Sequence, residues 1–245
     1  MQLFEFAYCP NYDTKISILA TLCPEKWSFG TNSDNVILKN YIKHTFSKLD
    51  EEGKIVIVPS KYALLNTGLF TQQYEPIFAY FEPNRNSDKQ AWCLIGFQTK
   101  YQLGLQQITD FPSRANYFQN PADFVFDVNC EIIPQYKHIF DEPENFARIP
   151  ESVRDNPAKR FIFDGAIDRA KLMINANYKT AIPQYYNGTI QLLIPICLTS
   201  ENAPDLALVV SKNNNTYLGH TCLTLEMAYN NARLIARPDS IWLRP

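Results

Sequence analysis

Thr180–Leu198 reads TAIPQYYNGTIQLLIPICL, and the Asn187-Gly188 pair at its centre decides the fold. Both residues tolerate positive φ, which a two-residue hairpin loop demands, and β-rich runs flank them. The stretch is therefore a hairpin. Pro183 and Pro195 bring no N–H to a ladder, so the strands are edged or bulged where they sit. Downstream, DLALVVSK and TYLGHTCL, joined by a turn at Asn213 to Asn215, extend the hairpin to a four-strand meander. Upstream, KRFIFDGAIDRAKLMINANY puts Phe163, Ala166, Ile167, Ala170 and Ile174 on one face, the period of an amphipathic helix. After the meander, LTLEMAYNNARLIARPDS (Leu223–Ser240) supplies a second helix, with Leu225, Ala228, Tyr229, Ala232 and Ile235 on one side.

The N-terminal half reads similarly. SDNVILKNYIKHTFSKLDEEGK is a helix that Asp34 caps, Gly53 ends, and Leu38, Tyr41, Ile42, Thr45 and Leu49 anchor. KIVIVP and YALLNTGLF form a hairpin behind it, and PIFAYF and AWCLIGF continue the strands. Residues 1–33 look irregular, broken at Pro10, Pro24 and Gly30. The helix and ribbon also resemble the last helix and wing of a DNA binder, with Lys39, Lys43 and His44 on the polar side, but no helix-turn-helix pair precedes them. From Tyr101 to Pro157 the sequence predicts one strand, DFVFDVN, a short helix around YKHIF, and a surface connection in DEPENFARIPESVRDNPAK.

Short links between consecutive strands impose antiparallel pairing, and helices at the ends of a meander pack on one face of it. The fold class is α+β: a mixed, largely antiparallel sheet with flanking helices and a C-terminal four-strand meander followed by a helix. The chain reads as a single domain, 1–245, with a subdomain seam near 141–158, and shows no internal repeat.

Composition excludes several classes. Hydrophobic residues make up 46% and charged residues 20% of the 245, which favours neither disorder nor a fibre. A formal charge of −2 argues against coating nucleic acid through global positive charge, so any polyanion site is local. The opening MQLFEFAYCPNYDTK lacks a basic leader, and no apolar run reaches the length of a membrane span. The expectation is a cytoplasmic protein with no membrane partner. Six cysteines without a CxxC pair read as reduced core residues. The oligomeric state has no signature in the sequence.

Reaction-defining motifs are absent. No GxG, phosphate loop, HExxH, zinc spacing or GxSxG elbow occurs, so no cofactor and no metal are expected. His44, His138 and His220 stand far apart along the chain. His220-x-Cys222 reads as a hydrogen-bonded histidine beside a core cysteine. Asp164 and Asp168 share a helix face with Arg160 and Lys171 nearby, the pattern of surface ion pairs.

The final helix carries a polar stripe, Glu226, Asn230, Arg233 and Arg237. Glu in the first turn and Arg in the last two complement the macrodipole, which is the ordinary explanation. Asn230-Asn231 argues for more, since amides in mid-helix compete with the backbone. Lys179, Gln184, Tyr185 and Tyr186 add donors and flat rings nearby, the ingredients for a phosphate and a stacked base. In NTGLF, Asn66, Thr67 and Gly68 suit a tight turn that offers N–H groups to an anion.

The blocks ILKNYIKHTF, NTGLF, NYKTAIPQYYNGTIQLLIPICL and LTLEMAYNNARLIARPDS resemble those of a bacterial family, domain-of-unknown-function family 3825. The resemblance runs from about Trp27 to Trp242, and its last two blocks are specific. Some members accompany OST-HTH (LOTUS-type) RNA-binding modules, which implies a cytoplasmic bacterial protein in an RNA-related setting. The resemblance brings no reaction with it.

The leading expectation is a phosphate-bearing ligand, a nucleotide or an RNA end, held between the NTGL turn and the final helix. Arg233 and Arg237 contact the anion, Asn230 and Asn231 orient the ligand, Lys179 adds charge, and Tyr185 or Tyr186 stacks. One alternative is an enzyme acting on RNA or nucleotide phosphodiesters, with Lys179, His220 or an acidic residue carrying the proton. The other is a structural or protein-interaction module without a small-molecule site.

Overall fold

Asn187 and Gly188 take φ of 47° and 81°, both left-handed, and close the hairpin in which Tyr186 pairs with Thr189. This is the geometry that dipeptide selects. The computed structural model describes residues 1–86, 88–239 and 242–245; Ser240, which ends the C-terminal stretch quoted above, lies outside them. The chain forms two compact units, Met1–Asn116 and Tyr117–Pro245. Residues 141–158 fall inside the second.

The first unit begins with α1 (Leu3–Phe6), β1 (Ala7–Tyr8) and α2 (Tyr12–Leu22), so the segment expected to be irregular is ordered. Pro10 and Pro24 flank α2 without entering it. Then come α3 (Val36–Glu51), β2 (Val56–Val58), β3 (Tyr62–Phe70), β4 (Pro76–Pro83), β5 (Trp92–Thr99) and α4 (Lys100–Leu105). The strands form a five-stranded sheet in the order β1-β5-β4-β3-β2, with β1 parallel to β5 and the rest antiparallel. The ribbon after α3 is therefore an edge of this sheet and no wing. The expected face of α3 is buried, from Leu38 and Tyr41 to Leu49.

NTGLF makes no tight turn. It lies within β3, where the pairing with β4 shifts between Asn66 and Phe70, and Gly68 takes φ +73°. The N–H of Gly68 donates to Asn66 Oδ1 at 2.9 Å and that of Leu69 to Thr67 Oγ1 at 3.2 Å. Thr67 is fully buried: its hydroxyl donates to the Ile77 carbonyl at 2.6 Å, and its own carbonyl accepts from the Tyr41 hydroxyl at 2.7 Å. Short side chains here complete a β-bulge that ties α3 to the sheet.

The second unit has a 3-10 turn at Pro121–Phe124, then β6 (Glu131–Pro134), α5 (Tyr136–Phe140), α6 (Pro143–Phe146), α7 (Glu151–Arg154) and α8 (Lys159–Ala176). It closes with β7 (Ile182–Tyr186), β8 (Thr189–Ile196), β9 (Leu206–Asn213), β10 (Thr216–Leu223) and α9 (Leu225–Arg233). The predicted meander is present as β7 to β10, with β6 added parallel to β10. Pro183 sits on edge strand β7, and Pro195 lies beyond the end of β7, where no ladder needs its N–H. The faces of α8 read from the sequence pack into the core with Leu192, Ile194, Leu208 and Val210.

Two middle segments differ from expectation. DFVFDVN forms no strand; Phe126 instead stacks on Tyr217 with ring centroids 4.3 Å apart. The supposed surface connection holds α6 and α7 and buries Asn145, Ile149 and Val153.

Both units share one plan, which the residues do not advertise. In each, an initial strand pairs in parallel with the last strand of a four-strand meander, and the helices between them precede the meander. In each, a threonine at the end of the last strand caps the closing helix: Thr99, the final residue of β5, accepts from Gln102 N, and Thr224, just past β10, from Met227 N. The chain is a topological repeat without a visible sequence repeat.

Two outcomes test this packing. Gly68→Ala forces a left-handed Cβ to 2.8 Å from the Tyr41 hydroxyl, and is expected to cost roughly 1–3 kcal/mol in urea unfolding. Burial lowers His44 to about 4 from an ordinary 6.5. Above pH 6.5 both folded and unfolded chains hold it neutral, and as pH falls to 4 only the unfolded chain gains the proton. Stability measured across that window should therefore drop by up to roughly 3 kcal/mol through this group, and His44→Leu should flatten the slope.

Candidate functional site

Regular strands alternate their side chains, yet His220 and Thr221, neighbours in β10, line the same cavity of the second unit. The cause is a shift in the β9–β10 pairing between Gly219 and Thr221, which leaves His220 out of the register. A bulge is a common way to re-aim a side chain at a site. Cys222, back in register opposite Leu208, is fully buried, and burial pushes its thiol up to about 12.

The cavity measures about 1030 Å³, near the upper end for small-molecule sites. One wall is sheet: Gln184 and Tyr186 from β7, Thr189 and Gln191 from β8, Val209 from β9. The opposite rim is helical: His138 from α5, Asn145 from α6, Met227 and Asn231 from α9, with Glu142 and Arg148 beside them. Its chemistry is amide, imidazole and hydroxyl over an apolar floor.

Asn145 joins the two sides. It is 6% exposed; its amide nitrogen donates to the His138 carbonyl at 3.0 Å, and its oxygen accepts from Arg148 and from the Thr221 hydroxyl, both at 2.9 Å. Arg148 also donates to the Cys222 carbonyl at 2.9 Å, which fixes its guanidinium against β10. A second chain of amides crosses the sheet wall: Asn231 donates to Gln184 at 3.1 Å, and Gln184 donates to Gln191 at 2.9 Å.

The two imidazoles differ in setting. His138 Nδ1 lies 2.5 Å from Glu142 Oε1 near the surface. His220 Nε2 lies 2.6 Å from the Ser211 hydroxyl. Burial lowers the His220 pKa, and the charge of His138 lowers it further. Both effects favour the neutral His220 ring.

The residues singled out in the sequence separate. Gln184, Tyr186 and Asn231 line this cavity. Lys179 and Arg237 line a smaller one of about 240 Å³, where Lys179 lies 3.4 Å from Asp239. Arg237 falls past the end of α9, so no helical stripe reaches it. Arg233 is 5% exposed and sits on the buried side, four residues after buried Tyr229. Asn230 and Tyr185 are half-buried, Tyr185 lying edge-on to Tyr117. Asn66, Thr67 and Gly68 belong to the other unit. His138, Glu142, Asn145, Arg148 and Gln191 were not picked out.

Residues 19–242 match the family model described as a domain of unknown function, DUF3825. The chain belongs to that family. The match spans every residue that lines the larger cavity. No curated protein and no solved structure matches the chain. Among the described residues, no helix is long and apolar enough to cross a membrane.

Asn145→Ala strips half-buried Arg148 and Thr221 of a shared acceptor, and is expected to lower stability by roughly 1–3 kcal/mol in thermal or urea unfolding.

Proposed function

We propose that the C-terminal unit binds a nucleotide or an RNA end carrying a single phosphate in the cavity between α9, α5 and the sheet. One observation carries this reading: Gln184, Gln191, Asn187 and Asn231 amides and the exposed Tyr186 ring line the same space as Arg148, His138 and His220. Amides pair with the edges of a base, a tyrosine stacks on its face, and a guanidinium with imidazoles meets a phosphate.

Charge narrows the ligand. Glu142 and Glu144 share the cavity with Arg148, so a triphosphate would meet more repulsion than attraction. A monophosphate or a diester suits this balance. The N–H groups of the NTGL bulge are used within their own strand, and the reading draws on the second unit alone.

Tyr186 is 56% exposed, so its removal leaves the fold intact. Titration of the full chain with nucleoside monophosphates and a short single-stranded RNA is expected to show binding that Tyr186→Ala weakens roughly five- to hundredfold. Asn231→Leu should alter preference among the four bases more than it alters affinity for ribose phosphate. Absence of binding by any of these ligands contradicts the proposal.

A further inference from the structure

We propose that the C-terminal unit cleaves the RNA strand it holds, by transesterification, with His220 as general base and His138 as general acid. This rests on the binding reading above and adds a reaction to it.

Two imidazoles line one cavity, and each has one ring nitrogen engaged by a neighbouring side chain. Ser211 meets His220 at Nε2, and Glu142 meets His138 at Nδ1. Their surroundings suit opposite duties. His220 sits deeper in the protein, where the neutral ring that can take a proton is favoured. His138 has its Nδ1 on the Glu142 carboxylate, which fixes the ring and leaves Nε2 as the nitrogen to give one. The groups around them are Ser211 on β9 and, in the cavity, Glu142, Glu144 and Arg148.

The nucleophile comes from the substrate. Ser211 holds His220 at Nε2 from 2.6 Å, which makes it the partner that orients the ring. The threonine hydroxyls of the cavity are engaged, Thr221 donating to Asn145 and Thr189 to the Tyr186 carbonyl, while imidazoles and a guanidinium carry protons and offset charge without forming the new ester. An RNA strand brings its own attacking group, the ribose 2′-hydroxyl beside each phosphodiester.

The step balances without a further reactant. Nδ1 of His220 takes the 2′-hydroxyl proton as the O2′–P bond forms. The P–O5′ bond breaks, and Nε2 of His138 gives its proton to the departing 5′ oxygen. Arg148 offsets the charge on the phosphate oxygens. The products are a 2′,3′-cyclic phosphate end and a 5′-hydroxyl end, and exchange with water restores both rings.

The test uses the full chain and three labelled oligonucleotides of one sequence: RNA, DNA, and RNA methylated at every 2′ oxygen. RNA should be cut to fragments bearing cyclic phosphate and 5′-hydroxyl ends, with a bell-shaped pH profile, while methylated RNA is bound but intact. His138→Ala and His220→Gln should each slow cleavage at saturating RNA by roughly 10²- to 10⁴-fold, far beyond any loss of affinity. His138 is a surface residue, so its variant remains decisive if His220→Gln does not fold. RNA bound but left whole overturns the cleavage and leaves the binding reading standing. Cleavage of the methylated strand, or cleavage undiminished in the His138 variant, also overturns it. Failure to bind any of the oligonucleotides or nucleotides removes both.

Discussion

A single buried amide, that of Asn145, holds the candidate site together. It bonds α5 through the His138 carbonyl, receives Arg148, and reaches β10 through Thr221. Helical rim and sheet wall therefore keep a fixed spacing, and the space between them persists as a cavity. An apolar residue of similar size would leave a guanidinium and a hydroxyl without their shared acceptor in a half-buried place. The same bond holds Thr221 beside the bulge that turns His220 inward. Packing and chemistry here share one set of contacts.

The second constraint is topological. Each unit adds its first strand in parallel beside the last strand of a meander, so helices that intervene in sequence must cross one face of the sheet. In the second unit that crossing is made by α5 to α8, whose first members overhang β10. The short helices have few turns of their own, and tertiary bonds such as those of Asn145 hold them. In the first unit α2 and α3 make the crossing, and the bulge at Thr67 ties α3 to the sheet.

Much of this was legible from periodicity. The meander, α3 and α8 follow from alternation, the Asn187-Gly188 loop and apolar spacing at three and four residues. What escaped depends on contacts distant in sequence. DFVFDVN alternates like a strand, but Phe126 is buried against the Tyr217 ring, a contact 91 positions away that alternation does not encode. At the site, Gln184, Tyr186 and Asn231 were chosen for residue type and do line the cavity, whereas Arg233 belongs by helical spacing to the buried face. His138, Glu142, Asn145 and Arg148 recur at intervals of four, three and three, a helical stripe in plain view. Pro143 and the surrounding charge disguised it as a surface loop.

The account turns on whether the amide- and imidazole-lined cavity is where a nucleotide sits. A crystal structure of the full chain with a nucleoside 3′-monophosphate tests this most directly. It should show the base against Tyr186 with its edge on Asn231 or Gln191, and the phosphate among Arg148, His138 and His220. A nucleotide found in another place, or its absence from a cavity open to the crystal solvent, would contradict the account.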